Sequence, residues 1–178
     1  MLDKNQKRPY SIEDPSDIWA QKFDEVKVIL ASVFKDKALA IEHIGSTSIG
    51  IKAKPLLDIC VIVKDINDIT EEKDAMKEFG YLWEDGYIAP DSSFIYKLDG
   101  DRKIENIHVV PPGHYKIEEF VLKRDYFRAH PGKAKEYEDL KVKLNEQHPN
   151  DYPAYRAGKA AFLLEIEKLA KEWRDENK

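Results

Sequence analysis

Among 178 residues there is a single cysteine, Cys60, so no internal disulfide can form, and the compartment this favours is a reducing cytoplasm. No uncharged run approaches the roughly 18 to 20 apolar residues needed to cross a bilayer. The stretch from Met1 to Asp14 has no apolar segment after its charges, so neither a membrane span nor a secretory signal is expected. Positive charge is neither in excess nor clustered. Lys plus Arg number 29 against 34 Asp plus Glu, a formal net charge of −5, with the two signs interleaved. Broad binding to a nucleic-acid backbone draws on clustered cations and is disfavoured on that ground; a local basic pocket for a small anion is not.

What is present suits a globular chain: 42% hydrophobic and 35% charged residues, in a length typical of one domain with its own core. Asp14-Pro15 offers a cap and a proline at the first helical position, followed by Trp19, Phe23, Val26, Leu30 and Val33 at helical spacing, ending near Asp36. Ala38 to Ile44 reads as a short strand. Pro55 opens Leu56 to Val63, a nearly continuous apolar run expected of a strand buried on both faces. Ile66 to Phe79 reads as a helix stopped by Gly80, and Tyr81 to Ile88 as a loop. Phe94 to Leu98 and Lys103 to Val110 flank Asp99-Gly100-Asp101 as a hairpin. The last third lacks strand signals and reads as three helices, broken near Pro131 and between His148 and Pro153. Residues 1–178 are therefore expected to form one α+β domain with a mixed sheet flanked by helices, its core over about 15–112 and a helical C-terminal layer over about 114–176.

One stretch carries chemistry: Glu42-His43-Ile44-Gly45-Ser46-Thr47, followed by Lys54-Pro55 and then a lone Asp58 among apolar residues. Gly45 lets backbone approach a ligand, and the hydroxyls of Ser46, Thr47 and Ser48 suit a phosphate. Lys54 adds a mobile positive charge. Strand alternation puts Asp58 and Cys60 on one face and Leu57 and Ile59 on the other. A carboxylate beside a phosphate cradle points to a bridging Mg²⁺ or Mn²⁺. A helix cap at the turn and an ion pair at Asp58 are the structural alternatives.

The stretch resembles the GrpB family, whose members are placed by fold in the nucleotidyltransferase superfamily. That superfamily's fingerprint is Gly-Ser or Gly-Gly, then, after a spacer that the eleven residues between Ser46 and Asp58 match, Asp-x-Asp or Asp-x-Glu on a strand. Asn106-Ile107-His108-Val109-Val110 looks like the family's His-x-His-Val pattern, and Arg124-Asp125-Tyr126-Phe127-Arg128-Ala129-His130-Pro131 like its Arg-Asp…Arg-Ala-His-Pro signature. Tyr137, Leu140 and Lys141 continue that block, and Tyr155, Lys159 and Phe162 resemble its closing Tyr-x3-Lys-x2-Phe. Three departures stand out. Cys60 occupies the place of the second acid, Asn106 that of the first histidine, and the loop after Thr47 is one residue shorter than the family's and lacks its proline.

The resemblance implies a nucleotidyltransferase-like fold and a protein that binds a nucleoside triphosphate or other phosphorylated small molecule with Mg²⁺. In that reading Gly45, Ser46 and Thr47 hold phosphate, Asp58 holds metal, and Lys54, Arg124 and Arg128 neutralise charge. His130, Tyr155 and Lys159 are further candidates. The missing acid at Cys60 leaves open a catalytically inactive binding or regulatory module. A third alternative is a single-metal hydrolytic site built from His43, His108 and Asp58.

Overall fold

The computed structural model describes residues 7–86 and 89–177. The chain runs α1 (Ile18–Phe34), β1 (Ala38–Ile44), β2 (Leu57–Val63), α2 (Thr70–Glu78), β3 (Leu82–Asp85), β4 (Ser93–Asp99) and β5 (Arg102–Val110). Helices α3 (Tyr115–Ile117), α4 (Lys123–Ala129), α5 (Pro131–Gln147), α6 (Tyr152–Gly158) and α7 (Ala160–Glu176) follow, with a π-helical stretch, Glu118–Leu122, joining α3 to α4. The strands form one mixed sheet in the order β1-β2-β5-β4-β3, in which β2 and β5 pair in parallel and the other pairings are antiparallel. The expected α+β class, a mixed sheet flanked by helices with a helical C-terminal layer, is the observed one. Among the described residues no helix is long and apolar enough to cross a membrane.

The two faces of β2 explain its apolar run. Leu57, Ile59, Val61 and Val63 pack with Val26, Leu30 and Phe34 of α1 and Met76 of α2, none of these four strand residues more than 1% exposed. On the other face Cys60 packs with Ile44 and Val110 under Ile117, Phe120 and Val121. That second face continues, by register, into a polar end: Asp58 is opposite Asn106, Cys60 opposite His108, and His108 and Asn106 opposite Phe94 and Tyr96 of β4. The C-terminal helices build their own cluster from Tyr126, Phe127, Tyr137 and Ile166, which also takes Ile51 and so ties down the loop between β1 and β2.

Several element boundaries differ from the sequence expectation for local reasons. Asp14 does not cap α1, which begins four residues on at Ile18; its carboxylate pairs with Lys52 at 3.0 Å, and the Ser16 hydroxyl accepts from the Ile18 N–H at 3.3 Å. The Asp65 carboxylate accepts from the Asn67 N–H at 2.8 Å, and this Asx turn delays α2 to Thr70. The expected loop over residues 81–88 contains β3, an edge strand paired with β4 from Leu82↔Tyr96 to Asp85↔Ser93. Four residues are too few to show a period of two; Tyr87 and Ile88 lie outside the described residues. The breaks at Pro131 and between His148 and Pro153 fall where expected, and a further one at Lys159 separates α6 from α7.

Ile59→Ala should lower the unfolding free energy by about 2–5 kcal/mol, the range for emptying a fully buried aliphatic site. Equilibrium urea denaturation checks this, with an unchanged denaturant slope showing that the fold itself persists.

Candidate functional site

β1 ends at Ile44 and the chain turns at Gly45, whose φ of 73° and ψ of −173° lie in a region that glycine alone visits readily. A Cβ there would stand 2.8 Å from Asp58 Oδ2. Glycine therefore lets the main chain pass directly over the Asp58 carboxylate. Ser46–Ser48 form a 3₁₀ turn, closed by the Ser48 hydroxyl donating to the Gly45 carbonyl at 2.6 Å.

Asp58 is half-buried at the start of β2, and its Oδ1 accepts from Asn106 Nδ2 at 2.9 Å. Burial raises its pKa, opposed by the Asn106 hydrogen bond and by the charges of Lys54 and Lys159. Lys159 reaches in from the junction of α6 and α7. Burial, and after it the like charges of Lys54 and Lys141, push its pKa down to about 7. Burial likewise lowers Lys141 to about 7, and its ammonium donates to the Lys52 carbonyl. Lys54 donates to the Tyr152 hydroxyl at 2.8 Å, and Ser46 opposes the burial that raises the pKa of the Tyr137 hydroxyl. Two ammonium groups, Lys54 and Lys159, thus act on one carboxylate while repelling each other, with Lys141 adding to the positive charge felt by Lys159, an arrangement that a bound anion relieves.

The remaining sequence-derived candidates are engaged by partners within the protein. Arg124 is buried and donates to Glu42 Oε2 at 2.6 Å, the His43 carbonyl at 3.0 Å and Asp125 Oδ1 at 2.8 Å. Arg128 gives two hydrogen bonds, 2.7 and 3.1 Å, to the Ser48 carbonyl. These two arginines brace the turn through protein oxygens: the charge of Arg124 is met by Glu42 and Asp125, while Arg128 bonds a neutral carbonyl. The Thr47 hydroxyl is engaged by His43 Nε2 at 3.0 Å. His130 bonds the Tyr126 carbonyl through Nδ1 at 2.8 Å and stacks on that tyrosine's ring. Tyr155 is 1% exposed and packs against Tyr10 at 4.6 Å.

The sheet also separates the proposed metal ligands. His43 is opposite Ile59 in the ladder and stacks on Phe23 of α1 at 5.0 Å. His108 lies on the other face, between Phe94 at 5.1 Å and Phe120 at 4.6 Å. Alternation keeps the thickness of the sheet between them, so His43, His108 and Asp58 do not share an ion. Among the described residues no group of three or more His, Cys, Asp or Glu side chains is placed to hold a metal. Burial, together with nearby cations, lowers His43 to about 4 and His108 to about 3, leaving both neutral at pH 7. Burial pushes the Cys60 thiol up to about 12, which makes it a core group and not a nucleophile.

A model of the GrpB protein family matches residues 9–169, a span that includes the turn, Asp58 and all three lysines. The chain belongs to the GrpB family. It is 38% identical over 159 residues to UPF0157 protein YqkA of Bacillus subtilis, covering 88% of this chain and 46% of that one, about half the relative's length. Glutamate-rich protein GrpB of Alkalihalophilus pseudofirmus is 34% identical over 156 residues, covering 85% of this chain and 90% of that one. The crystal structure of conserved protein GrpB from Enterococcus faecalis matches with a TM-score of 0.85 at 28% identity, over 92% of this chain and 99% of that one.

Within this GrpB chain, sequence reasoning missed how Tyr137 and Lys141 enter the site. The signal was present twice: Tyr137-x3-Lys141 and Tyr155-x3-Lys159 share one spacing. Each lays a lysine over a tyrosine ring, at 4.8 and 4.4 Å. Asn106, noted in the sequence for its place in the histidine pattern, proves to be the direct partner of Asp58.

Gly45→Ala should cost about 1–3 kcal/mol from the backbone conformation alone, and the added methyl must displace Asp58; thermal denaturation and the position of the Asp58 side chain in a variant crystal structure read the two effects. A carboxyl whose folded pKa is raised favours the fold below its ordinary 3.8 and loses that contribution as pH rises through the folded value. Asp58→Asn should therefore be more stable than the parent at neutral pH, with the gap closing as pH falls below 3.8, read as Tm against pH.

Proposed function

We propose that this GrpB-family protein binds a nucleoside triphosphate or another phosphorylated small molecule at the Gly45 turn, and that Asp58 would be the residue to hold a single Mg²⁺ there. The observation that carries this is the close passage of the Gly45 main chain over one half-buried carboxylate, whose charge is met by Lys54 and Lys159. In that reading Lys54 and Lys159 neutralise phosphate, the Ser46 hydroxyl orients it, and the main chain at Gly45 forms the rim. Mg²⁺ retains several waters and is commonly bound by one or two carboxylates plus substrate phosphates, so a single aspartate fits a single ion. The ion would supply charge neutralisation at the phosphates.

Transfer of a nucleotidyl group to an acceptor is the reaction that the family resemblance suggests. Two-ion catalysis draws on more acids than this recess contains: Cys60 follows Asp58 on the same face, and Asn106 adjoins it on β5. These two residues favour a second reading, a module that holds its phosphorylated ligand without turning it over. Pyrophosphate release across a panel of hydroxyl acceptors separates the two.

Calorimetric titration with ATP, GTP and inorganic triphosphate, with and without Mg²⁺, tests the binding itself. Lys159→Met should weaken binding by about tenfold or more. An anion prefers the protonated lysine, so affinity in the parent should fall as pH rises through about 7, and Lys159→Met should blunt that dependence. Absence of binding, or equal affinity in parent and Lys159→Met, contradicts the proposal.

A further inference from the structure

Past Lys54 and Asn106 the molecule opens into a cavity of about 820 Å³, a size suited to small organic ligands. Its floor is the sheet face bearing Phe94, Asn106 and His108; Phe120 and Tyr152 rise on either side, and the stretch from Arg8 to Ser11 closes it. That closing stretch is well anchored. Glu13 and Ala53 exchange main-chain hydrogen bonds of 2.8 and 3.0 Å, the Tyr10 hydroxyl donates to the His148 carbonyl at 2.9 Å, and Lys7 pairs with Asp151 at 2.6 Å.

Charge in the cavity runs against the charge of the chain. Arg8, Lys54, Arg102, Lys103, Lys116 and Arg156 line it against only Asp99 and Asp101, in a protein of net charge −5. Arg102 is offset by Asp99 and Lys116 by Glu119. Arg8 and Arg156 form no ion pair among the described residues, and Arg8 lies over the Tyr152 ring at 4.8 Å. The aromatic surface is continuous, with His108 in ring contact with both Phe94 and Phe120. Two buried polar atoms on this floor lack partners, Asn106 Oδ1 and His108 Nδ1, two residues apart on one face of β5. Buried polar atoms are nearly always satisfied, and an amide oxygen can only accept.

We propose that this cavity is a binding site for a planar, multiply anionic organic molecule, which stacks on Phe120 and Tyr152 and is neutralised by Arg8 and Arg156. It stands apart from the phosphate site: Gly45, Ser46 and Asp58 do not line the cavity, and the two sites meet only at Lys54 and Asn106. A small anion over Asp58 and a larger planar anion in the cavity would thus lie side by side.

The test uses hydroxypyrene trisulfonate, a planar fluorescent trianion with one hydroxyl donor, followed by fluorescence anisotropy at low ionic strength with the full chain. Binding should weaken by about tenfold or more in Arg156→Ala and in Phe120→Ala, both at partly or fully exposed positions. Lys168→Ala, which removes the same charge from a lysine whose side chain is 78% exposed and outside the cavity, should bind as the parent does. Inositol hexakisphosphate, highly charged but not planar, should compete poorly. The proposal is overturned by a flat anisotropy titration, by parent-like binding in both cavity variants, or by an equal loss in Lys168→Ala. Displacement by inositol hexakisphosphate at concentrations equal to the planar probe's would equally overturn it. Calorimetry with inorganic triphosphate reads the Asp58 site separately, so either site can fail without the other.

Discussion

The close passage of the Gly45 main chain over the Asp58 carboxylate sets the conditions for everything at this end of the sheet. It requires a positive φ and leaves no room for a Cβ, since one would lie 2.8 Å from Oδ2. The turn is held there from several directions. Arg124 grips Glu42 and the His43 carbonyl, Arg128 grips the Ser48 carbonyl, and Ile51 is seated among the C-terminal helices. The result is a carboxylate kept partly from water with one amide partner. Its charge is met by Lys54 and Lys159, and burial makes Lys159 lose its proton more readily than usual. Such a site is costly in the free protein and is eased when an anion, or an anion with a cation, enters it.

Much of this was legible in the sequence, and the legible parts have a common basis. Periodicity found α1 and β2 because their apolar faces are dictated by burial on one and two sides respectively. Spacing and residue type found the Gly45 to Asp58 unit because a glycine at a strand end and a single acid in an apolar run are local signals. Side-chain competition was not legible. Nothing local says that Arg124 and Arg128, one turn apart on α4, reach back some 80 residues to fasten the turn. Nor does it say that His43 and His108 emerge on opposite faces, which depends on the ladder register. β3 was hidden because an edge strand of four residues is defined by its partner more than by its own pattern.

The departures from the nucleotidyltransferase fingerprint acquire a physical meaning at this level. Cys60 sits on the Asp58 face, but under an apolar cover of Ile117, Phe120 and Val121, where a second ionised acid would be expensive to bury. Asn106 gives Asp58 a neutral donor and leaves its own buried oxygen without a partner. The polar end of the sheet is therefore organised less as a carboxylate cluster than as a junction between a lysine-rich recess and a cationic, aromatic cavity. An overall acidic protein that lines one cavity mainly with cations is arranged to select anions by location, not by net charge.

The central claim is that phosphate is received at the Gly45 turn beside Asp58. Its most direct measurement is a solution NMR titration of the isotopically labelled protein with inorganic triphosphate and Mg²⁺, following backbone amides along the chain. The account predicts that Gly45, Ser46 and Thr47 shift together with residues around Asp58 and Lys159. Unchanged resonances there, or shifts confined to the solvent-facing side of α4 around Arg128, would contradict it.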